Sequence, residues 1–311
     1  MDGILPLWKE RGMTSHDCVF KLRKILQTKK IGHGGTLDPD VAGVLPICIG
    51  KGTKVIEYMV DSGKTYEGEI TLGFSTTTED ASGEVVEKVF MKEPLTTEQI
   101  DQAMSEMTGT VTQIPPMFSA VKVNGRRLYE YARNGETVER PIRTAEIYSF
   151  ERTSEPVFHE KEGIQSWRFK VVCGKGTYVR TLSVDTGLKV GLPAHMSELT
   201  RTKAAGLDRS MSLTLQEVQE LMENGDIASA LLPIERGIAD FPRIDLSNEL
   251  YRQVKNGARL PAKELGISSD ISTLVALFYQ EKVVSLYMEH PDKNGIWKPS
   301  KVLRNDLEIN L

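Results

Sequence analysis

The chain has 311 residues, of which 40% are hydrophobic and 26% are charged. This balance is typical of a globular protein and excludes a disordered or fibrous one. The length predicts one large domain, or a catalytic domain with a smaller domain attached. The net charge of −4, taken alone, argues against a protein that binds nucleic acid.

Export and membrane insertion are not predicted. Residues 1–8 include an acid and too short an apolar run for a secretion signal. The apolar run 41–49 is broken by Gly43 and Pro46 and is far too short to span a membrane. We therefore expect a soluble, cytoplasmic protein. The cysteines are odd in number and widely separated, which predicts buried thiols rather than disulfides or metal ligands: Cys18, Cys48 and Cys173.

Positive charge is concentrated in three stretches although the total is negative. The first, between Cys18 and Leu37, has no acid and contains Lys21, Arg23, Lys24, Lys29 and Lys30. The other two contain Lys122, Arg126, Arg127 and Arg133, and then Lys170, Lys175 and Arg180. Each stretch alone could be a solvated face. Three of them in a net-acidic chain favour a protein that binds a polyanion.

The first helix is predicted to begin at Thr14, whose hydroxyl suits a helix cap, with Asp17 as the acid of the first turn. One apolar helical face follows, formed by Val19, Leu22 and Leu26. Residues 31–39 break this periodicity. Three glycines within four positions predict a loop with unusual backbone freedom.

Two strands and a second helix are predicted in the middle of the chain. Residues 66–72 alternate between apolar and polar side chains, and residues 167–173 are also strand-like. Thr96 and Gln99 form a capping-box pattern ahead of an amphipathic helix that reaches Met107. The stretch 119–141 is polar, basic and interrupted by glycine. It is predicted to be a long, functional excursion from the core.

The pattern changes near residue 238. A short helix and three strands are predicted after it: 250–255, 272–279, 282–288 and 296–303. Gln280 and Glu281 separate the first two of these strands and indicate a hairpin. The strands favour a small β-barrel-like domain at the C-terminus. The alternative is that they continue the main sheet.

Several cofactor motifs are excluded by their spacing. Gly50 and Lys51 are followed by Gly52 rather than Ser or Thr, so the pattern of a phosphate-binding loop fails. The Gly-x-Gly segments at 32–34 and 174–176 lack the third glycine of a dinucleotide-binding loop. The five histidines form no H-E-x-x-H pair. We therefore expect no metal and no nucleotide cofactor.

Asp38 is the carboxylate with the most unusual setting. It follows a glycine-rich stretch and precedes Pro39, which pushes the residue before it into an extended conformation. A nearby cation would keep such a carboxylate ionised and available as a nucleophile. On the loop alone, a structural Asx turn is the preferred interpretation and catalysis is the alternative.

Segment 32–51 closely resembles the catalytic motif of the TruB-type tRNA pseudouridine-55 synthases. Other segments resemble motifs of this family in order: the opening motif, the active-site tyrosine, the thumb insertion that grips RNA, the arginine motif and the last catalytic-domain motif, at 9–16, 64–66, 119–133, 175–182 and 195–201. Three residues depart from the family pattern, Glu10 in place of Pro, Gly34 in place of Thr and Asp40 in place of a hydrophobic residue.

The resemblance implies an enzyme that flips out the T-loop uridine at position 55 of tRNA and isomerises it to pseudouridine without a cofactor. It implies that Asp38 is the nucleophile and that Arg180 keeps it ionised. It also implies that Tyr66 is a catalytic residue that stacks on the target base and takes part in the C5 proton transfer. Without the motifs, an ordinary ion pair and a half-buried strand tyrosine would explain Arg180 and Tyr66.

The resemblance also assigns binding residues. Tyr178 and Leu199 would form apolar walls of the uracil pocket, although either could be a core residue. His33 would contact the extruded nucleotide or replace it in the RNA stack. The residues expected to contact tRNA phosphates are Lys21, Lys24, Lys29, Lys30, Lys122, Arg126 and Arg127.

The expected fold is α+β, a mixed and mostly antiparallel sheet flanked by helices. The resemblance implies a catalytic domain at 1–237, with a thumb-like insertion at about 119–141, and an RNA-binding PUA-like domain at 238–311. The expected partner is the T-arm stem-loop of tRNA, bound by a monomer. A non-catalytic tRNA-binding or tRNA-folding module is the alternative. A nucleoside hydrolase is a third possibility, but it would usually need two opposed carboxylates.

Overall fold

The computed structural model describes residues 1–267 and 274–309. Within these residues the strands are β1 (Gly3–Lys9), β2 (Ile31–His33), β3 (Ala42–Ile49), β4 (Lys64–Leu72), β5 (Phe74–Thr76), β6 (Val85–Lys88), β7 (Gly109–Gln113), β8 (Lys122–Val123), β9 (Arg126–Arg127), β10 (Arg143–Arg152), β11 (Val157–His159), β12 (Ile164–Cys173), β13 (Ala194–Ala204), β14 (Leu207–Asp208), β15 (Arg243–Asp245), β16 (Leu260–Pro261), β17 (Val275–Tyr279), β18 (Lys282–His290) and β19 (Lys293–Val302).

The helices are mostly short and lie between strands. The α-helices of the described residues are α1 (Ser15–Ile25), α2 (Ile56–Asp61), α3 (Thr97–Ser105), α4 (Leu128–Arg133), α5 (Val179–Lys189), α6 (Leu215–Glu223) and α7 (Asn248–Val254). The 3-10 helices are Gly50–Val55, Arg209–Met211, Ile227–Ala230 and Ile234–Ile238.

A large sheet forms the body of the molecule, with the strand order β1-β3-β13-β4-β12-β10-β7. Strands β2, β14 and β11 pair with β3, β13 and β12. Only β3 and β13 are parallel among these pairs. The C-terminal strands form a second sheet, β15-β17-β18-β19-β16, and do not continue the first. The expected α+β fold with a mixed, mostly antiparallel sheet is therefore confirmed.

Strand β3 accounts for the apolar run at residues 41–49. From the sequence, this run was only known to be too short to span a membrane. Its Leu45 and Ile47 pack with α1 and α6 in one buried cluster. Its Val44 and Cys48 belong to another cluster that includes Phe278 of the second sheet. A strand covered on both faces needs an almost continuous apolar sequence. The three cysteines are buried free thiols, as expected.

Charged contacts join the second sheet to the body beside this shared core. Glu235 forms an ion pair with Arg304 at 2.5 Å, and both side chains are largely buried. The Lys54 ammonium donates to the Val302 carbonyl at 2.7 Å. The C-terminal strands therefore pack against the body of the molecule. The domain boundary at residue 238 stays a prediction.

The elements agree with the sequence patterns except at a few ends. Helix α1 has the expected capping box between Thr14 and Asp17, and α3 has one between Thr96 and Gln99. The loop prediction for 31–39 was wrong at its start, because residues 31–33 pair with β3 as β2. Of the strand predicted at 272–279, residues 272 and 273 lie outside the described residues.

The thumb insertion (residues 119–141) contains more regular structure than its polar sequence indicates. Strands β8 and β9 form a hairpin, and helix α4 follows directly. Asn124 and Gly125 turn the hairpin with φ values of 51° and 84°, which is the conformation that an Asn-Gly turn adopts. Leu128 and Tyr131 of α4 are buried. The insertion is therefore a small folded unit.

Candidate active site

Asp38 is presented by a loop between β2 and β3, called here the Asp38 loop (residues 34–41). Ser15, at the start of α1, anchors it twice. The Ser15 hydroxyl donates to the Leu37 carbonyl at 3.2 Å and accepts from the Leu37 N–H at 2.9 Å. The buried Lys9 ammonium donates to the Pro39 carbonyl at 3.0 Å. The backbone on each side of Asp38 is therefore held by the protein.

Arg201 holds an earlier part of the Asp38 loop and is fully buried. Its guanidinium donates to the carbonyls of Gly35 at 3.1 Å and Thr36 at 3.3 Å, and its Nε donates to Val44 at 2.9 Å. Gly43 has a φ of +138°, and a Cβ there would lie 2.3 Å from the Arg201 carbonyl oxygen. Only glycine therefore allows the two strands to approach this closely.

Arg180 lies beside the Asp38 carboxylate. Its Nη2 is 3.0 Å from Asp38 Oδ2, and the Arg180 side chain is 7% exposed. The guanidinium also donates to the carbonyls of Thr78 and Phe118, both at 3.0 Å. Burial raises the pKa of the Asp38 carboxyl, the charge of Arg180 opposes this rise, and Asp80 adds to it. Arg180 therefore stabilises the ionised form of a partly desolvated carboxylate.

A cavity of about 270 Å³ opens at this pair. Six of the residues that line it are Asp38, Tyr66, Tyr178, Arg180, Leu199 and Arg201. Ligand sites for drug-sized molecules measure roughly 300–1,000 Å³, so this cavity suits a group as small as one nucleobase. The structure thus brings together five residues to which the sequence analysis gave a role, and it adds Arg201.

Tyr66 and Leu199 enter the cavity from adjacent strands. Tyr66 of β4 lies opposite Arg201 of β13 in the ladder, and Leu199 lies opposite Gly68. The Tyr66 side chain is buried, and burial raises its pKa while the charge of Arg201 opposes the rise. Tyr66 therefore presents a neutral phenol. A Cβ on Gly68 would lie 2.4 Å from the Glu198 carbonyl oxygen, so this close strand contact requires glycine.

Tyr178 is the residue before the first turn of α5, and a buried glutamine fixes its backbone. Gln113 of β7 accepts from the Tyr178 N–H at 3.0 Å and donates to the Tyr178 carbonyl at 3.1 Å. Burial raises the pKa of Tyr178. Gln113 was not singled out in the sequence analysis. A lone amide two residues before a Pro-Pro pair carries no signal of a partner so far along the chain.

His33 does not line the cavity. It lies on β2 opposite Ile47. Burial, with a further effect from Arg201, lowers the pKa of His33, so its ring is neutral. Its Nδ1 is buried and has no hydrogen-bond partner among the described residues. The role proposed for it at the extruded nucleotide stays a prediction.

The basic residues expected to bind RNA differ in availability. Those of the first stretch are exposed, namely Lys21, Lys24, Lys29 and Lys30. Lys122 and Arg127 on the thumb insertion are exposed as well. Arg126 instead forms a bidentate pair with Glu136, at 2.9 and 3.0 Å, and lies over the ring of Tyr131. Its charge is therefore already partly used within the insertion.

Asp80 is a charged residue of the site to which the sequence analysis gave no role. Its Oδ2 is 4.0 Å from Arg180 Nη1. Its Oδ1 accepts from the Thr78 hydroxyl at 2.6 Å and from the Ser82 N–H at 2.9 Å. The surrounding run of Thr, Ser and Gly indicates a polar turn. Asp80 lies beside Arg180 because the fold brings two distant parts of the chain together, and the residues around Asp80 do not indicate this contact.

Two absences are established for the described part of the chain. Within residues 1–267 and 274–309, no group of three or more His, Cys, Asp or Glu side chains is arranged to hold a metal ion. Over the same residues, no helix is long and apolar enough to cross a membrane.

Solved structures share this fold over 98% of the chain. One is a Cbf5-Nop10-Gar1 complex, 27% identical with a TM-score of 0.73, of which 86% of the matched chain is covered. Another is an H/ACA RNP bound to a substrate RNA containing 2'-deoxyuridine, 26% identical with a TM-score of 0.71 and the same 86% coverage. The class of protein is that of the pseudouridine synthases.

Family models and relatives narrow this class. The TruB family pseudouridylate synthase N-terminal domain matches residues 23–179, and the tRNA pseudouridylate synthase B C-terminal domain matches 180–239. The tRNA pseudouridine synthase B of Bacillus pumilus is 50% identical over 98% of this chain and 99% of its own. That of Streptococcus gordonii is 55% identical over 97% and 99%. The chain belongs to the TruB family of tRNA pseudouridine synthases, isomerases that modify tRNA.

Proposed function

We propose that this enzyme converts the T-loop uridine at position 55 of tRNA to pseudouridine, with Asp38 as the nucleophile. The observation that carries the proposal is the Asp38–Arg180 pair at 3.0 Å, open to a cavity of about 270 Å³. The reaction breaks the bond from N1 to the ribose and joins the ribose to C5. The C5 proton is lost and N1 gains one, so no redox or phosphate cofactor is required.

Five residues that line the cavity have a part in this proposal. Arg180 keeps Asp38 ionised against the effect of burial. Tyr66 offers a flat, neutral ring against which the flipped uracil stacks. Leu199 and Tyr178 form the walls that hold the free base while it turns. The small cavity retains the uracil between bond breaking and bond making, when neither N1 nor C5 of the base is joined to the ribose.

Flipping the base out of the T-loop costs a few kcal/mol of unstacking. Phosphate contacts would offset this cost. The exposure of the lysines of residues 21–30, and of Lys122 and Arg127 on the thumb insertion, supports this role for them. We propose the T-arm as the part of tRNA that is bound and a single chain as the working unit. The cytoplasmic location stays a prediction.

The test is tritium release from uracil C5 when purified protein is mixed with unmodified tRNA labelled at that atom. Wild type is expected to release the label from one uridine per tRNA. Asp38→Asn is expected to release none while it still binds tRNA in a filter assay. Asp40→Asn makes the same chemical change at an exposed carboxylate two residues away and should retain activity.

The position is tested with a tRNA that carries cytidine at 55, from which no label should be released. Release from that tRNA, or release by Asp38→Asn, would contradict the proposal. Binding by wild type without release would favour the tRNA-binding or tRNA-folding module. Free uracil among the products would instead indicate a hydrolase.

A further inference from the structure

Glu79, a residue that the sequence analysis did not single out, combines a largely buried carboxyl group with an unusual backbone conformation. Its φ is +65°, a conformation that residues other than glycine rarely adopt. Its side chain is 19% exposed, and its carboxylate accepts from the Thr181 hydroxyl at 2.8 Å. Arg140 Nη1 lies 3.9 Å from Glu79 Oε1. Such a conformation persists where the surroundings over-determine it, and it is common at functional sites.

Two contacts of Glu79 lead to Arg180. Thr181, whose hydroxyl binds Glu79, follows Arg180 directly on the first turn of α5. Thr78, which precedes Glu79, accepts from Arg180 Nη1 at 3.0 Å. Glu79 therefore links two segments: the loop that carries the Thr78 carbonyl, which accepts from Arg180, and the helical turn that carries Arg180 itself. Arg180 is held between them while its other amino group faces Asp38.

A third contact leads to the thumb insertion. Arg140 lies near the end of the insertion and donates to the Pro115 carbonyl, just before its start, at 3.1 Å. Phe118, also just before the start, accepts from Arg180 Nη2 at 3.0 Å. The chain just before the insertion thus contacts Arg180 directly, through Phe118. The end of the insertion is connected to it through Arg140 and Glu79.

We propose that Glu79 is a positioning residue that holds Arg180 in register with Asp38 and couples it, through Arg140, to the thumb insertion. This inference rests on the proposed function, in which Asp38 reacts and Arg180 keeps it ionised. When the Glu79 carboxylate is lost, Arg180 keeps its charge, but its guanidinium is no longer held in a fixed position. A displaced Arg180 opposes the protonation of Asp38 less effectively.

The groups with the largest electrostatic effects on the pKa values of Asp38 and Glu79 include both cations and acids. Those that act on Asp38 are Arg180, Asp80, Lys9 and Asp40. Those that act on Glu79 are Arg180, Arg140 and Asp185. Because Arg180 lowers the pKa of Asp38, its displacement should move the acid limb of the rate profile to higher pH. A general loss of packing would lower the rate at every pH without moving that limb.

The experiment measures single-turnover tritium release against pH for Glu79→Ala and Glu79→Gln, together with tRNA affinity. Glu84→Ala is the matched control, since Glu84 is an exposed carboxylate in the same connection between β5 and β6. Glu79→Ala is expected to lose roughly ten- to a hundredfold in rate, since small misplacements have effects of this size. Its acid limb should move to higher pH while its tRNA affinity equals that of the control.

Glu79→Gln keeps an acceptor for Thr181 and should fold even where the alanine variant does not. We expect it to lose less rate than Glu79→Ala. In a double-mutant cycle, Arg140→Gln should have a smaller effect in the Glu79→Gln background than in wild type, because the two residues act as a unit. Full additivity in this cycle would overturn the coupling to the thumb insertion.

The failure of this inference is distinguishable from that of the proposed function. If both Glu79 variants follow the pH profile of Glu84→Ala while Asp38→Asn is inactive, only the role of Glu79 is overturned. A lower rate with an unmoved acid limb overturns it as well, since it indicates a structural role. If Asp38→Asn is active, the proposed function itself fails.

Discussion

Two buried arginines shape the site, and they differ in what they bind. Arg201 donates to three backbone carbonyls, those of Gly35, Thr36 and Val44. None of the ion pairs among the described residues involves Arg201. Arg180 instead has Asp38 at 3.0 Å and Asp80 at 4.0 Å. Arg201 therefore holds backbone, whereas Arg180 holds two backbone carbonyls and, in addition, carboxylate charge.

This difference separates the shape of the site from its charge. A guanidinium stays charged when it is buried and offers five donors in a fixed plane, so it can hold several carbonyls at once. Arg201 uses this property to fix the path of the Asp38 loop. Arg180 uses it to stabilise an anion. Substitution of Arg201 should therefore affect folding first, and substitution of Arg180 should affect catalysis first.

Arg201→Met tests the folding half of the comparison and should have the largest effect. The change leaves three carbonyls without their donor, and a buried unsatisfied group costs about 1–3 kcal/mol. The unfolding free energy should fall by about 3 kcal/mol or more, measured by urea denaturation. Arg168→Met, at an exposed arginine paired with Glu198, should change it by no more than about 0.5 kcal/mol. Equal urea midpoints for Arg201→Met and wild type would show that the comparison is wrong.

Arg180→Lys tests the catalytic half. A lysine keeps the charge but cannot reach Asp38, Thr78 and Phe118 together, as the guanidinium does. The single-turnover rate should fall about 100- to 1,000-fold, the usual effect of losing one preorganised electrostatic partner. Affinity for tRNA should be retained, as measured by filter binding. A variant that loses binding and keeps its rate would assign Arg180 to RNA contact instead.

The pKa of Asp38 gives the comparison a pH signature. Burial raises this pKa above its ordinary value of 3.8, so the ionised carboxylate is lost at a higher pH than in a solvated acid. The acid limb of the single-turnover rate should therefore lie above pH 3.8. An acid limb at or below that value would show that Arg180 fully overcomes burial.

Ionisation of Asp38 should raise the rate but lower the free energy of unfolding. As pH rises, the unfolded chain ionises at about 3.8, before the folded chain does, so ionisation of Asp38 removes stability. Asp38→Asn should consequently be more stable than wild type at neutral pH. The difference should vanish well below pH 3.8. Urea unfolding of both proteins across this range measures it.

Local patterns predicted the elements but not the site. The capping boxes of α1 and α3 and the alternation of β4 and β12 are written in neighbouring residues, so periodicity found them. The meeting of Asp38, Tyr66 and Arg180 depends on the order β3-β13-β4 and on the position of α5, which no local pattern specifies. The family resemblance supplied it.

The residues that were missed share one property, which is that their partners lie far along the chain. Arg201 was included in a motif but had no role, because its partners are backbone carbonyls of the Asp38 loop and β3. Gln113 binds the backbone of Tyr178, and Glu79 binds Thr181. A single sequence does not pair such residues, so the supports of the site came from the structure alone.

Asp40→Leu should have the smallest effect and refines the electrostatic half of the comparison. Asp40 acts in the opposite sense to Arg180, since its charge raises the pKa of Asp38, but burial, Arg180, Asp80 and Lys9 all have larger effects. The carboxylate is also exposed. Its removal should move the acid limb slightly to lower pH and leave the rate at neutral pH unchanged.

Salt distinguishes the causes of any effect of Asp40. Exposed charges are screened over about 10 Å at 0.1 M salt, so the small shift in the acid limb should shrink as salt is added. If Asp40→Leu instead tightens tRNA binding at low salt, the main effect of Asp40 is repulsion of phosphate. In that case Arg180 acts mainly on the pKa of Asp38, whereas Asp40 acts mainly on the phosphates of tRNA.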